Sequence, residues 1–163
     1  MMRLILFRHG IAEDMRADMD DASRRLTPEG IEKTRQAARG LAALAGPIDA
    51  VLTSPKLRAM ETAQLLCEAV GMSAQVCGVL SRGTVKAVLA DVAARKEQAL
   101  VLVGHEPTLS SLANAVCGFK EGSGLELKKA GAIILQMEPA SGFGVLEAAL
   151  PPGLLRTAGS LVK

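Results

Sequence analysis

The chain reads as an α/β protein of three layers, αβα: a mostly parallel central sheet, helices on both faces and a C-terminal antiparallel hairpin. Three observations predict this. Short apolar runs such as Leu4-Ile5-Leu6-Phe7 and Leu100-Val101-Leu102-Val103 alternate with longer stretches of helical period, the pattern of buried parallel strands joined by crossover helices. Hydroxyl–proline pairs, Thr27-Pro28 and Ser54-Pro55, stand where a strand or loop gives way to a helix, as an N-cap followed by proline in the first turn should. Near the C-terminus, residues 130–137 and 143–150 are strand-like and flank Pro139-Ala140-Ser141-Gly142, a hairpin turn.

Taken in order, residues 4–7 form the first strand, and an acidic stretch without period, 13–21, forms a surface loop. Thr27 caps a helix running to about Ala45, with Ile31, Ala38 and Leu41 on one face and Gly46-Pro47 as its stop. A second strand spans 49–53. Ser54-Pro55 then opens a helix that Gly71 ends, with Ser54 as cap, Pro55 at N1 and Arg58 at about N4. Residues 74–77 suggest a short third strand. Val85, Val88, Leu89 and Val92 predict a helix over 84–96 by their i, i+3, i+4, i+7 spacing. Residues 100–103 form the fourth strand, and a helix over 107–117 follows. The tail from Pro151 shows no assignable pattern.

The composition narrows the class. At 163 residues the chain is expected to be a single domain, 1–163, large enough for its own core. Three Phe, no Tyr and no Trp make that core aliphatic and leave no aromatic platform for stacking bases. A net charge of +2 gives no basic footprint, so no nucleic-acid partner is expected. The apolar runs are too short for a membrane span or a signal-peptide core, so a cytoplasmic protein with no membrane partner is expected. Cys67, Cys77 and Cys117 are odd in number and lack metal-ligand spacing. Cys67 and Cys117 read as small core residues.

The two histidines each follow a strand: Arg8-His9-Gly10 after the first, Gly104-His105-Glu106-Pro107 after the fourth. Ligands of open α/β sheets bind outside the carboxyl ends of the strands, so the two imidazoles can share one crevice. An arginine near a helix N-terminus, as Arg58 is placed, opposes the helix dipole and makes sense beside a bound anion. Arg24, just ahead of the helix start at Thr27, is a further candidate phosphate ligand. No nucleotide-binding glycine motif follows a strand, and Gly142-Phe143-Gly144 falls in the hairpin. Neither a metal nor an organic cofactor is expected.

Together, Arg8-His9-Gly10, Leu26-Thr27-Pro28-Glu29-Gly30, Thr53-Ser54-Pro55 with Arg58-Ala59 and Thr62-Ala63, and Gly104-His105-Glu106-Pro107 resemble the histidine phosphatase superfamily. These pieces stand in the family's order over roughly residues 3–117. Length and the opening Arg8-His9-Gly10-Ile11-Ala12-Glu13 look most like its short SixA-type phosphohistidine phosphatases. The resemblance implies that His9 attacks phosphorus and carries a transient phosphoryl group. It implies that Arg8 and Arg58 bind the phosphoryl oxygens, and that His105, protonated, offsets their charge. The sequence names no partner to hold that proton: Glu106 is adjacent, and Glu13 and Asp14 lie within reach of the loop.

One departure bears on the substrate. Many members carry a carboxylate, the proton donor to the leaving group, shortly after the third strand. Here no Asp or Glu occurs between Glu68 and Asp91. An alkoxide needs such a donor, whereas imidazole is a better leaving group and can bring its own proton. The expected substrate is therefore a phosphorylated protein, a phosphotransfer domain or phosphocarrier bearing phosphohistidine. The alternatives are a small phosphorylated substrate, a phosphomonoester, or a non-catalytic phosphate-binding module on the same fold.

Overall fold

A computed structural model of the chain describes every residue except 121 and 123. Six strands form one sheet in the order β3-β2-β4-β1-β5-β6. The first four, β1 (Met2–Arg8), β2 (Ala50–Thr53), β3 (Ala74–Val76) and β4 (Ala99–Gly104), are mutually parallel. The last two, β5 (Ala132–Met137) and β6 (Gly144–Leu150), form the antiparallel hairpin, and β5 also pairs antiparallel with β1.

Alternation along each strand divides the core in two. Leu4 and Leu6 of β1 point to one face with Leu52, Leu100, Leu102 and Ile133, where they meet α3 (Val79–Arg82), α4 (Val85–Ala93) and α5 (Thr108–Cys117). Ile5 and Phe7 point to the other face with Val51, Val101, Val103 and Ile134, where they meet α1 (Pro28–Leu44), α2 (Leu57–Val70) and α6 (Pro152–Leu161). Each such side chain contributes about 1.5–3 kcal/mol by leaving water. The core is aliphatic, and Phe7 is its one buried phenyl ring among the described residues.

Capping follows the sequence where the chemistry is local. Thr27 accepts the Gly30 N–H at the start of α1, with Pro28 at N1, and Thr84 accepts the Ala87 N–H at the start of α4. Gly71 and Gly118 end α2 and α5 in the left-handed conformation, which suits glycine.

Three expectations change. The second helix begins at Leu57, not Pro55, because Lys56 stays extended and the Ser54 hydroxyl is engaged by His105 instead of capping a helix turn. Arg58 therefore stands at N2. The helix expected over 84–96 stops at Ala93; beyond it, Arg95, Lys96 and Glu97 offer no apolar side chain to hold another turn on the sheet. The unassigned tail is α6, laid against α1. Its contact is backbone on backbone: a Cβ on Gly40 would stand 1.9 Å from the Leu155 carbonyl oxygen, and one on Gly159 2.0 Å from that of Gln36. Among the described residues no helix is long and apolar enough to cross a membrane.

Candidate active site

Register brings the site together. β1 and β4 are neighbours in the sheet, with Arg8 opposite Gly104, so the next residue of each strand is a histidine beside a histidine. Their ring centroids lie 5.2 Å apart with the planes tilted by 51°. On the far side of β4, Thr53 of β2 stands opposite Val103. The Ser54 N–H continues the ladder to the Val103 carbonyl at 3.0 Å, and the turn after it delivers Arg58. Three adjacent strand ends thus supply Arg8–His9, Ser54–Arg58 and His105.

The His9 loop is held from several sides. Its backbone N–H donates to the Gly104 carbonyl at 3.1 Å, and the Gly10 N–H donates to Thr62 Oγ1 at 3.0 Å. The Thr62 hydroxyl in turn donates to the Arg58 carbonyl at 2.8 Å, so one threonine links the His9 loop to the first turn of α2. Gly10 has no room for a side chain, because a Cβ there would meet Thr34 Oγ1 at 1.9 Å.

The His9 Nδ1 lies 2.7 Å from the Gly10 carbonyl oxygen. A carbonyl only accepts, so Nδ1 carries the proton and Nε2 presents a lone pair. Burial pushes the His9 pKa down to about 3, and the charges of His105, Arg58 and Arg8 add to that against the Gly10 bond. The ring is therefore neutral, as a nucleophile must be.

Arg58 is buried at the start of α2, where Nη1 donates to the Asp21 carbonyl at 2.9 Å and Nη2 to Asp21 Oδ2 at 3.2 Å. Lys56 Nζ also reaches Asp21 Oδ2, at 2.8 Å, and Arg24 Nη1 reaches Oδ1 at 3.0 Å. Hydrogen bonds from Lys56, Arg24 and Arg58 hold the Asp21 carboxyl well below the usual carboxylate range. Arg8 Nη1 donates to the Leu127 carbonyl at 2.9 Å.

Three buried polar nitrogens find no hydrogen-bond partner among the described residues on these four site residues: Arg8 Nε, Arg58 Nε and His105 Nδ1. Unpaired buried donors are costly, and an oxyanion is the ligand that several N–H groups satisfy together. Among the described residues no group of three or more His, Cys, Asp or Glu side chains is placed to hold a metal ion.

His105 departs from expectation. Burial pushes its pKa down to about 4, with Arg58, Lys56 and Arg8 lowering it further and Asp21 opposing them. It is held neutral, not protonated. Glu106 does not reach it; its carboxylate accepts from the backbone N–H and hydroxyl of Ser110 in the first turn of α5. Glu13 accepts the Arg25 N–H.

Arg24, expected as a phosphate ligand, is engaged by the protein itself: its guanidinium holds Asp21 and the Glu13 carbonyl. Asp21 itself was not singled out by sequence. It lies in a run of several acids whose only distinguishing mark is a spacing of three from Arg24. Nor does the sequence reveal the link made by Thr62 or the contact of Ser54 with His105, both of which need the sheet.

Two histidines and two arginines gathered at adjacent strand ends of a mixed α/β sheet define an imidazole- and guanidinium-lined site suited to an oxyanion. Residues 4–81 match the model of the histidine phosphatase superfamily (branch 1). An uncharacterised protein of Picosynechococcus sp. is 41% identical over 140 residues, 83% of this chain and 85% of that protein. Among solved structures, the protein histidine phosphatase SixA complexed with tungstate superposes with a TM-score of 0.82 at 26% identity, covering 94% of this chain and 99% of that one. A SixA phosphohistidine phosphatase assignment from Agrobacterium tumefaciens has the same fold, with a TM-score of 0.80 at 23% identity over 93% of this chain and 99% of that one. The chain belongs to the histidine phosphatase superfamily, and the solved structures similar to it include SixA proteins. That membership supports phosphatase activity.

Proposed function

We propose that the protein removes phosphoryl groups from phosphohistidine on a partner protein, with His9 as the covalent nucleophile. The observation that carries the choice of substrate is the commitment of the nearby carboxylates. Asp21 is ionised and bound by three cations, Glu106 is bound to Ser110, and the segment after β3, Val79–Arg82, holds no acid. Among the described residues, Asp21, Glu106 and the segment after β3 thus supply no acid to protonate an alkoxide, whereas imidazole leaving from phosphohistidine needs none. The likeness to SixA holding tungstate, a tetrahedral oxyanion, agrees with a phosphoryl group among these residues.

In the proposed reaction the His9 Nε2 lone pair attacks phosphorus in line. The substrate N–P bond breaks, and the departing imidazole keeps the electron pair at one nitrogen while its other nitrogen retains a proton. Arg8 and Arg58 donate to the equatorial oxygens, and His105 donates from Nδ1. Water then attacks phosphorus, the His9 N–P bond breaks, and inorganic phosphate leaves with His9 restored to its starting tautomer. Little covalent work falls to the protein, so positioning and charge carry the rate. The reading calls on no metal and no organic cofactor.

The test is a parallel assay of phosphohistidine on a phosphotransfer domain or phosphocarrier and of simple phosphomonoesters, with labelled enzyme trapped by alkaline quench. The expected outcome is turnover of phosphohistidine and an acid-labile, alkali-stable label that His9→Ala abolishes. Strong ester turnover without phosphohistidine turnover overturns the substrate, and absence of any label on the wild-type protein overturns catalysis through His9.

A further inference from the structure

In the proposed reaction His105 stabilises phosphoryl oxygens, yet it is neutral and among the described residues no carboxylate holds it. Its Nε2 lies 2.7 Å from Ser54 Oγ, and its Nδ1 is buried without a partner among the described residues. Ser54 is itself fully buried. Its backbone N–H is spent on the Val103 carbonyl, and its own carbonyl accepts from the Thr53 hydroxyl at 3.0 Å. The Lys56 backbone N–H donates to Ser54 Oγ at 3.3 Å. A serine hydroxyl has one proton to give and two lone pairs. With one lone pair taken by Lys56, the acceptor within reach of the hydroxyl proton is the imidazole Nε2. The reverse arrangement, Nε2–H donating to Oγ, strands that buried hydroxyl proton, which costs the full desolvation of an unpaired donor.

We infer that Ser54 is a positioning residue: its hydroxyl donates to His105 Nε2 and thereby places the ring proton on Nδ1, the nitrogen without a protein partner. A neutral His105 then presents an N–H to phosphoryl oxygens, all of which are acceptors. In the other tautomer it presents a lone pair against them. A neutral imidazole can act as an electrophilic donor in this way when its surroundings depress its pKa.

The consequence is a matched pair of histidines. Both rings carry their proton on Nδ1. In His9 the Gly10 carbonyl consumes that proton and leaves the Nε2 lone pair for attack. In His105 the Ser54 hydroxyl consumes the Nε2 lone pair and leaves the Nδ1 proton for the oxyanion. The charged groups bearing on His105 are Arg58, Lys56, Arg8 and Asp21; among the described residues none of them hydrogen-bonds to a ring nitrogen, and the Ser54 hydroxyl, which does, selects the tautomer.

The tautomer belongs to the protein without substrate; only its catalytic meaning rests on the phosphatase reading. With only two histidines in the chain, long-range proton–nitrogen correlation spectra of the nitrogen-15-labelled full-length protein resolve both rings, and His9→Gln assigns them. At neutral pH both rings should be protonated on Nδ1 and bare on Nε2. In Ser54→Ala the His105 signals should move to a mixture of tautomers while His9 stays unchanged, and Ser54→Thr should restore them. Turnover of phosphohistidine should fall about tenfold in kcat with little change in KM in Ser54→Ala, the loss of one oriented hydrogen bond, and recover in Ser54→Thr.

A wild-type His105 protonated on Nε2, or on both nitrogens, overturns the inference, as does an unchanged His105 tautomer in Ser54→Ala. Should Ser54→Ala fail to fold, the wild-type spectrum decides alone. Spectra as expected from a protein that turns over neither phosphohistidine nor ester support the tautomer and overturn the phosphatase reading.

Discussion

Lowering the pH from 7 to 5 should strip this protein of a large part of its stability, through its two histidines. Both have pKa values lowered in the folded state, to about 3 for His9 and about 4 for His105, against 6.5. In the unfolded chain both take up a proton as the pH falls through 6.5; in the folded protein they do not until far lower. The unfolded state binds more protons in this window, so stability rises with pH across it and is lost on acidification.

The loss works out at about 2 kcal/mol for each ring between pH 7 and 5, hence about 4 kcal/mol for the pair. That is a large fraction of the 5–15 kcal/mol that roughly bounds a domain of this size. Both rings are under a tenth exposed, so solvent screening does little to reduce it. Asp21 does not blur the result, because it is ionised in both states at both pH values. Urea unfolding at the two pH values, in buffers without phosphate, measures the difference. A loss below about 1 kcal/mol, or an equal loss in the doubly substituted His9→Gln, His105→Gln protein, refutes the reasoning.

Two further substitutions probe what holds the site in place. Thr62→Val keeps the shape but leaves the buried Gly10 N–H without its acceptor and removes the hydroxyl's own bond to the Arg58 carbonyl. It should cost about 1–3 kcal/mol in chemical unfolding and lower kcat, and an unchanged urea midpoint would count against the linking role. Gly159→Val pushes a side chain into the space of the Gln36 carbonyl. It should cost about 1–3 kcal/mol and expose α6 to limited proteolysis while the site residues, none of which lies on α6, stay placed; an α6 as protected as in the wild type would sink the account of that contact.

Much of the fold was legible because its signals are local. A strand buried on both faces must be apolar throughout, so residues 4–7 and 100–103 stand out whatever packs against them. Thr27-Pro28 caps α1 through atoms three residues apart. The alternation of Leu4 and Leu6 with Ile5 and Phe7 is the same pattern that divides the core between its two faces. α6 was illegible for the opposite reason: its seat on α1 is made by glycines that leave room for backbone, and a glycine inside a helix reads in sequence as a flaw. The start of α2 was misplaced because the hydroxyl expected to cap it has a stronger claim from a ring that arrives from another strand.

The same division runs through the site. Which side chains are present and which strand ends they leave can be read from the chain alone: His9 and His105 at two such ends, Arg8 before one of them, Arg58 at the start of a helix, and no acid between Glu68 and Asp91. Those are matters of composition and short-range period, which a chain carries before it folds. Sheet assembly alone puts β4 between β2 and β1, so that Arg8 faces Gly104 and the two rings meet. It also decides which nitrogen each ring offers. Burial keeps both imidazoles neutral, the Gly10 carbonyl holds the proton of His9 on Nδ1, and neighbours distant in sequence, Thr62, Asp21 and Ser54, settle the rest. Desolvation and hydrogen-bond direction are properties of what surrounds an atom, and that exists only once the chain has folded.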